Sequence, residues 1–163
     1  MSEKKLSASE IEVVKFRSSY AHKFRDINYE WLEEYFEIEP YDRIVLNDPQ
    51  KQIIGLGGVV FLAQVAGEIV GTGALLKHTP VKYELAKMGV VKSFRGRGVG
   101  RRLTNEAIVR ARRLGAETLV LATSKQLEAA NHLYQSLGFE YVDLSVIGPL
   151  PYKRETIVMA LKL

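Results

Sequence analysis

A chain of 163 residues with 47% hydrophobic and 26% charged residues can build one domain with its own core, without a disulfide or metal staple. The absence of cysteine excludes a thiol nucleophile, an iron–sulfur cluster, a disulfide framework and a cysteine-bound acyl intermediate. A net charge of +4 is too small to mark a nucleic-acid binder, and the apolar runs at 57–63 and 69–76 fall far short of the ~20 residues of a membrane-spanning helix.

The opening Met1-Ser2-Glu3-Lys4-Lys5 is polar and leads into no signal-peptide stretch, which makes the cytoplasm the default location. Residues 11–16 alternate loosely and read as a first strand. Tyr20, Phe24, Ile27 and Trp31 then recur at helical steps, with Ser18 or Ser19 as the expected cap. A short helical piece is expected at 42–46, and Asp48-Pro49 suits a cap and first turn. After the break at 55–58, strands at 59–65 and 69–76 flank a tight turn at Ala66-Gly67-Glu68. Pro80 precedes a strand at 84–91. The clearest helix spans 98–114, striped by Val99, Leu103, Ala107, Ala111 and Leu114 and stopped by Gly115. A strand at 118–122, a helix at 126–137 ended by Gly138, and strands at 139–146 and 156–161 complete the chain. This order predicts an α/β fold in a single domain, residues 1–163. The sheet is mixed and mostly antiparallel, with a central parallel pair and flanking helices.

Between the 84–91 strand and the strongest helix lies Arg95-Gly96-Arg97-Gly98-Val99-Gly100. Glycines there let the backbone approach a ligand. The unpaired first amides of the helix and its dipole add an anion site. Residues 95–113 hold seven arginines against one acid, Glu106, which deepens the local positive potential. Arg95, Arg97, Arg101 and Arg102 are expected to face the ligand, and Arg110, Arg112 and Arg113 to be solvated. Arg101-Arg102 stands where a Walker loop needs Lys-Ser or Lys-Thr, and Arg101 stands where a dinucleotide fingerprint needs its third glycine, so neither site fits.

Arg95, Gly98 and Gly100 do match the acyl-CoA loop of the GNAT superfamily of N-acetyltransferases. That pattern is Gln or Arg, two residues, Gly, one residue, then Gly or Ala. The stretch 84–91 resembles the strand before that loop in the superfamily. Asn131-His132-Leu133-Tyr134, with Gly138-Phe139, resembles the helix and exit after it. The likeness covers roughly residues 84–141. The N-terminal third, with Trp31-Leu32-Glu33-Glu34-Tyr35-Phe36 and Asp48-Pro49, resembles a bacterial subgroup, some of whose members are fused to MarR-like DNA-binding domains.

The resemblance implies transfer of an acetyl group from acetyl-CoA to a primary amine by direct attack. The pyrophosphate would rest on Arg95, Gly96, Arg97, Gly98, Val99, Gly100 and Arg101, and the pantetheine on the Met88, Gly89, Val90 edge, one of whose amides polarises the thioester carbonyl. Tyr134 would protonate the leaving thiolate, Asn131 would contact the pantetheine or its water, and Glu84, eleven residues before Arg95, would act as general base. Each has a plainer alternative: a packed tyrosine, a surface strand acid, an ordinary strand-to-helix turn. His22, His78 and His132 show no metal-ligand spacing, so no metal is expected. His132 is expected to point to solvent and Trp31 into the core. The rival reading is a non-catalytic acyl-CoA-binding or sensing module. No nucleic-acid or membrane partner is expected, and a homodimer stays open. The acceptor amine, small molecule or protein, is not legible. It should be chosen by residues 20–41 and 148–154, where Glu30, Glu33, Glu34, Glu37 and Glu39 suit a cationic acceptor or simply a solvated face.

Overall fold

The structure is a computed structural model that describes residues 4–163; the opening Met1-Ser2-Glu3 lies outside them. A seven-stranded sheet in the order β1-β2-β3-β4-β5-β7-β6 forms its middle layer. The strands are β1 (Glu12–Lys15), β2 (Val59–Val65), β3 (Glu68–Thr79), β4 (Lys82–Val90), β5 (Thr118–Thr123), β6 (Glu140–Val142) and β7 (Ile157–Lys162). Every neighbouring pair is antiparallel except β4–β5. The helices are α1 (Ala21–Tyr35), α2 (Pro40–Asn47), α3 (Pro49–Gln52), α4 (Val99–Arg113) and α5 (Glu128–Ser136).

Strand alternation divides the core between two helical layers. Phe61 and Ala63 of β2 pack with Val99, Leu103, Ala107 and Ala111 of α4. Val60 and Leu62, pointing the other way, pack with Phe24, Ile27 and Leu32 of α1 and Val45 and Leu46 of α2. Each Phe, Leu, Ile or Val among them contributes about 1.5–3 kcal/mol on burial, and each alanine less. Glu106 braces α4 at i±4 through Arg102 (2.9 Å) and Arg110 (3.0 Å), and Arg110 lies over the Phe61 ring at 5.5 Å. Arg110 therefore covers the core edge instead of standing free in solvent as its position in the arginine run suggests. Arg112 and Arg113 are exposed as expected.

Several boundaries move for local reasons. Ser18 and Ser19 form a 3-10 turn, and the cap of α1 is Tyr20, which makes no side-chain cap bond. α2 starts at Pro40 because Glu39 and Asp42 form a reciprocal capping box. α5 starts at Glu128, since Ser124 accepts the Leu127 amide and holds a turn ahead of it. β6 ends at Val142 because Asp143 accepts the Ser145 amide at 2.9 Å and opens a 3-10 turn at Leu144–Val146.

The feature that positions the site is the end of the parallel pairing. Lys82, Tyr83, Glu84 and Leu85 of β4 pair with Thr118, Leu119, Val120 and Leu121 of β5, and the pairing stops there. β4 runs on to Val90 bonded only to β3, so its other edge is open.

Candidate functional site

A bulge shapes this open edge. Ala86 pairs with Ala74 and Gly89 with Thr72, leaving Lys87 and Met88 together opposite Gly73. Lys87 takes a left-handed φ of 55°. Unbroken alternation would place Lys87 on the face opposite Glu84. The extra residue overturns that expectation, and Lys87 shares a cavity with Glu84. The bulge is held from behind. Thr72 Oγ1 donates to the Lys87 carbonyl at 2.8 Å, Asn28 Nδ2 donates to Thr72 Oγ1 at 3.1 Å, and Trp31 Nε1 donates to Asn28 Oδ1 at 3.1 Å. Asn28 and Thr72 are fully buried. A Cβ on Gly89 would come within 2.8 Å of the Trp31 ring, so glycine lets α1 lie on this strand. Trp31, expected in the core, is half-buried and stands between two cavities.

The larger cavity, about 820 Å³, runs from the glycine loop along the open edge of β4 to α5. Met88, Gly89, Val90, Arg95, Gly96, Gly98, Gly100, Arg101 and Tyr134 all line it. Gly98 caps α4 at a φ of 97°, and Gly96 has a φ of 74°; a side chain at either position would be strained. The first turn of α4 leaves its amides without helical acceptors, and Gly98 and Gly100 at that turn line the cavity. Val99, expected at the ligand, does not line the cavity, because its side chain is buried with Leu103 in the core.

The arginines around the loop are less mobile than their sequence suggests. Arg95 donates to Glu34 at 2.7 Å and to the Val90 carbonyl at 3.1 Å, tying the loop to α1. Through that hydrogen bond Arg95 holds the Glu34 carboxyl below its ordinary value. Arg97 donates to the Lys4 carbonyl and stacks over Phe94 at 4.8 Å. Arg102 is turned to Glu106 and does not line the cavity, contrary to its expected ligand-facing position. Arg101 reaches Ser136 on α5 at 3.0 Å and lines the cavity.

Tyr134 sits on the inner face of α5, packed on Phe139 with ring centroids 5.7 Å apart. Burial pushes its hydroxyl up to about 12, so it stays protonated at any ordinary pH. It makes no hydrogen bond to a described residue and lines the cavity wall. Asn131 is turned differently. Its Oδ1 accepts from Thr123 at 2.7 Å and its Nδ2 donates to the Ser124 carbonyl at 2.9 Å, which fixes the end of β5 to α5. His132 is exposed at the cavity rim.

The smaller cavity, about 370 Å³, opens on the other side of the same splay. Trp31, Leu85, Ala86, Lys87, Ala122, Thr123 and Leu127 border both cavities. Glu84 lies in it, nearly buried and 2.7 Å from His78 Nε2. The opposite wall comes from 149–156. Arg154 pairs with Asp42, and with Glu39 at 3.2 Å. Glu39 also accepts the Lys153 amide at 2.7 Å, the main cause that holds its carboxyl below the ordinary value. Lys87 donates to the Tyr152 hydroxyl at 2.9 Å. Burial pushes the Lys87 ammonium down from its usual value, while Asp42 and Glu84 act the other way. Among the described residues, no group of His, Cys, Asp and Glu could hold a metal ion, and no helix is long and apolar enough to cross a membrane.

A profile of the acetyltransferase (GNAT) family matches residues 19–139. The chain belongs to that family. Among curated relatives of this GNAT chain, the uncharacterized N-acetyltransferase YvbK of Bacillus subtilis is 34% identical over 104 residues. That stretch is 62% of this chain and 67% of the relative. YjgM of Escherichia coli, also an uncharacterized N-acetyltransferase, is 32% identical over 55% of this chain and 56% of its own length. Among solved structures, a GNAT-family acetyltransferase from Staphylococcus aureus superposes with a TM-score of 0.83 at 19% identity, covering 93% of this chain and 98% of that one. A putative acetyltransferase, yncA of Salmonella typhimurium, described with its cofactor acetyl-CoA, gives 0.71 at 18% identity, covering 93% of each chain. The mixed sheet with a central parallel pair expected from the order of elements, and the GNAT fold implied by the resemblance, are the fold observed.

Asn28, Thr72, Lys87, Asp42, Arg154 and Tyr152 were not named singly as site residues, although Asn28, Tyr152 and Arg154 fall within 20–41 and 148–154, the segments expected to choose the acceptor. The first three leave a trace in the sequence: a polar residue on the apolar stripe of a helix, a threonine between two glycines in an apolar run, and a lysine between Ala86 and Met88. Asp42, Tyr152 and Arg154 leave none, because they meet only through the return of the chain at 149–156.

Proposed function

We propose that this chain is an N-acetyltransferase that moves the acetyl group of acetyl-CoA directly onto a primary amine. The observation that carries the reading is the meeting of two cavities at the β4–β5 splay, one floored by the glycine loop and one holding Glu84. The description of yncA with acetyl-CoA supports the choice of donor.

In this reading the pyrophosphate rests on the amides at the start of α4, with Arg101 alongside. The pantetheine lies along the open edge of β4 at Met88, Gly89 and Val90, where an amide donates to the thioester oxygen as negative charge develops there. The amine enters from the Glu84 side. Glu84, directly or through one water, takes a proton from it. The nitrogen attacks the carbonyl carbon, the C–S bond breaks as the C–N bond forms, Tyr134 gives its proton to the departing thiolate, and the second proton that the nitrogen sheds on becoming an amide returns through water to the Tyr134 oxygen. Asn131 acts by holding the end of β5 in place and does not touch the donor. The test is release of CoA thiol from acetyl-CoA in the presence of an amine panel. Binding of acetyl-CoA with no thiol release from any amine would instead match a sensing module.

A further inference from the structure

We propose that the smaller cavity selects small amines that carry their own anionic group, a carboxylate or a phosphate, which docks on Lys87 while the amine faces Glu84. The inference rests on the acetyltransferase reading and names its acceptor class.

Lys87 occupies the left-handed position of the bulge, which glycine takes without penalty and a lysine takes only with strain. A strained non-glycine residue beside a cavity points to a use for its side chain.

The ion pairs of the cavity leave Lys87 out. Glu84 lies against His78, which is charged only if protonated, and Asp42 and Glu39 share Arg154. Lys87 has no carboxylate within ion-pair distance among the described residues. Its single hydrogen bond goes to the neutral Tyr152 hydroxyl, and its ammonium lies 5.4 Å from that ring. An ammonium carries three donors, so two have no acceptor among the described residues. Burial disfavours the charge on this side chain, and Asp42 and Glu84 only partly offset it. An anion on the ligand supplies the missing partner.

Tyr152 is wedged edge-on against Tyr41, with centroids 5.7 Å apart, and lies under Arg154 at 4.3 Å. The loop that carries it is pinned by Glu39 at Lys153 and Arg154. Lys87 is thus held against a fixed wall in a cavity of about 370 Å³, which suits a compact molecule. A polyamine offers no anion to the Lys87 ammonium.

The experiment compares matched amines by thiol release: 4-aminobutyrate with butylamine, alanine with ethylamine, phosphoethanolamine with ethylamine, and spermidine. In the wild type, kcat/KM for an anionic amine should exceed that of its neutral twin by ~10–100-fold, the scale of one hydrogen-bonded charge. The pair with the larger ratio identifies carboxylate or phosphate. In Lys87→Met the ratio should collapse towards one, chiefly through KM, and Lys87→Arg should restore part of it. Lys87→Gly, which relieves the backbone strain, replaces the methionine variant if that one melts early. Equal use of the twins by the wild type, a preference for spermidine, or a ratio unchanged in the lysine variants overturns the anion site while the transferase reading stands. Acetyl-CoA binding without thiol release from any amine sinks that reading and this inference with it.

Discussion

The two cavities that meet at the β4–β5 splay are built by different means. The larger is built around backbone features, a glycine turn, the start of α4 and an open strand edge, with the buried Tyr134 on its wall. Its parts are close in sequence, two strand–helix steps from β4 to α5. The smaller is made of charged and aromatic side chains from α1, α2, β3, β4 and the 149–156 loop. The first kind of site suits a ligand that does not vary, because backbone amides are fixed by the fold. The second changes with single substitutions and leaves room for specificity. The difference predicts that mutations on the donor side abolish the reaction, whereas mutations on the other side redirect or slow it.

The largest effect is expected at Tyr134. Tyr134→Phe keeps the ring against Phe139 and removes the proton donor, so kcat should fall by ~10²–10⁴-fold, with acetyl-CoA affinity nearly unchanged by calorimetric titration. Because burial holds the hydroxyl up to about 12, the wild type should show no loss of kcat from this group between neutral pH and pH about 10. Full turnover in the variant would return Tyr134 to a packing role and remove the chemical centre from the donor cavity.

Next comes the glycine turn. Gly98→Glu puts a strained side chain and a negative charge where the pyrophosphate is expected. Acetyl-CoA affinity should weaken by at least ~100-fold, or about 2.7 kcal/mol, in a protein that still melts cooperatively. Wild-type affinity should also weaken with added salt, since the contacts are ionic. Unchanged affinity in a folded variant would show that the donor does not use this loop.

On the acceptor side, Glu84→Gln keeps size and removes basicity. At neutral pH only about one lysine-like amine in a thousand or fewer is unprotonated. The variant should therefore lose up to ~10²-fold in kcat/KM near neutrality and recover part of that at high pH, where free amine becomes common. A pH–rate profile identical to the wild type would exclude Glu84 as the base. A uniform loss at all pH values would make it a positioning group for His78 and the acceptor.

The smallest effect tests the partition between the cavities. Thr72→Val leaves the Lys87 carbonyl and one Asn28 amide proton without their partner. Stability should drop by about 1–3 kcal/mol, read by chemical denaturation, and both substrates should bind less well because the bulge borders both cavities. A variant as stable as the wild type would show that the bulge holds itself without this network.

Much of the donor side was legible in the sequence. Gly96, Gly98, Gly100 and the α4 stripe form one continuous segment, and turn chemistry and helical periodicity are local properties. The positions of β2, β3 and β5 follow from the same kind of signal. Elements fixed by specific hydrogen bonds were read less well. The Glu39–Asp42 capping box lengthened α2, and the Asp143–Ser145 turn cut β6 short.

By itself the sequence determined the succession of elements along the chain, the glycine turn before α4, and the resemblance that names the donor, because each depends on residues within a few turns of one another. Tertiary structure decided which side chains share a cavity. Strand alternation assigns Lys87 and Glu84 to opposite faces, and the bulge held by Thr72 and Asn28 from other elements brings them together. It also turned Asn131 inward onto Thr123 and Ser124, drew Arg95 to Glu34 and Arg102 to Glu106, and seated the 149–156 loop on α2 through Glu39, Asp42 and Arg154. Lys87 and Tyr152 lie 65 residues apart in the chain. A contact at that separation leaves no period and no motif. It exists only because the sheet closes with β7 beside β5 and carries the loop before β7 back over the open edge of β4.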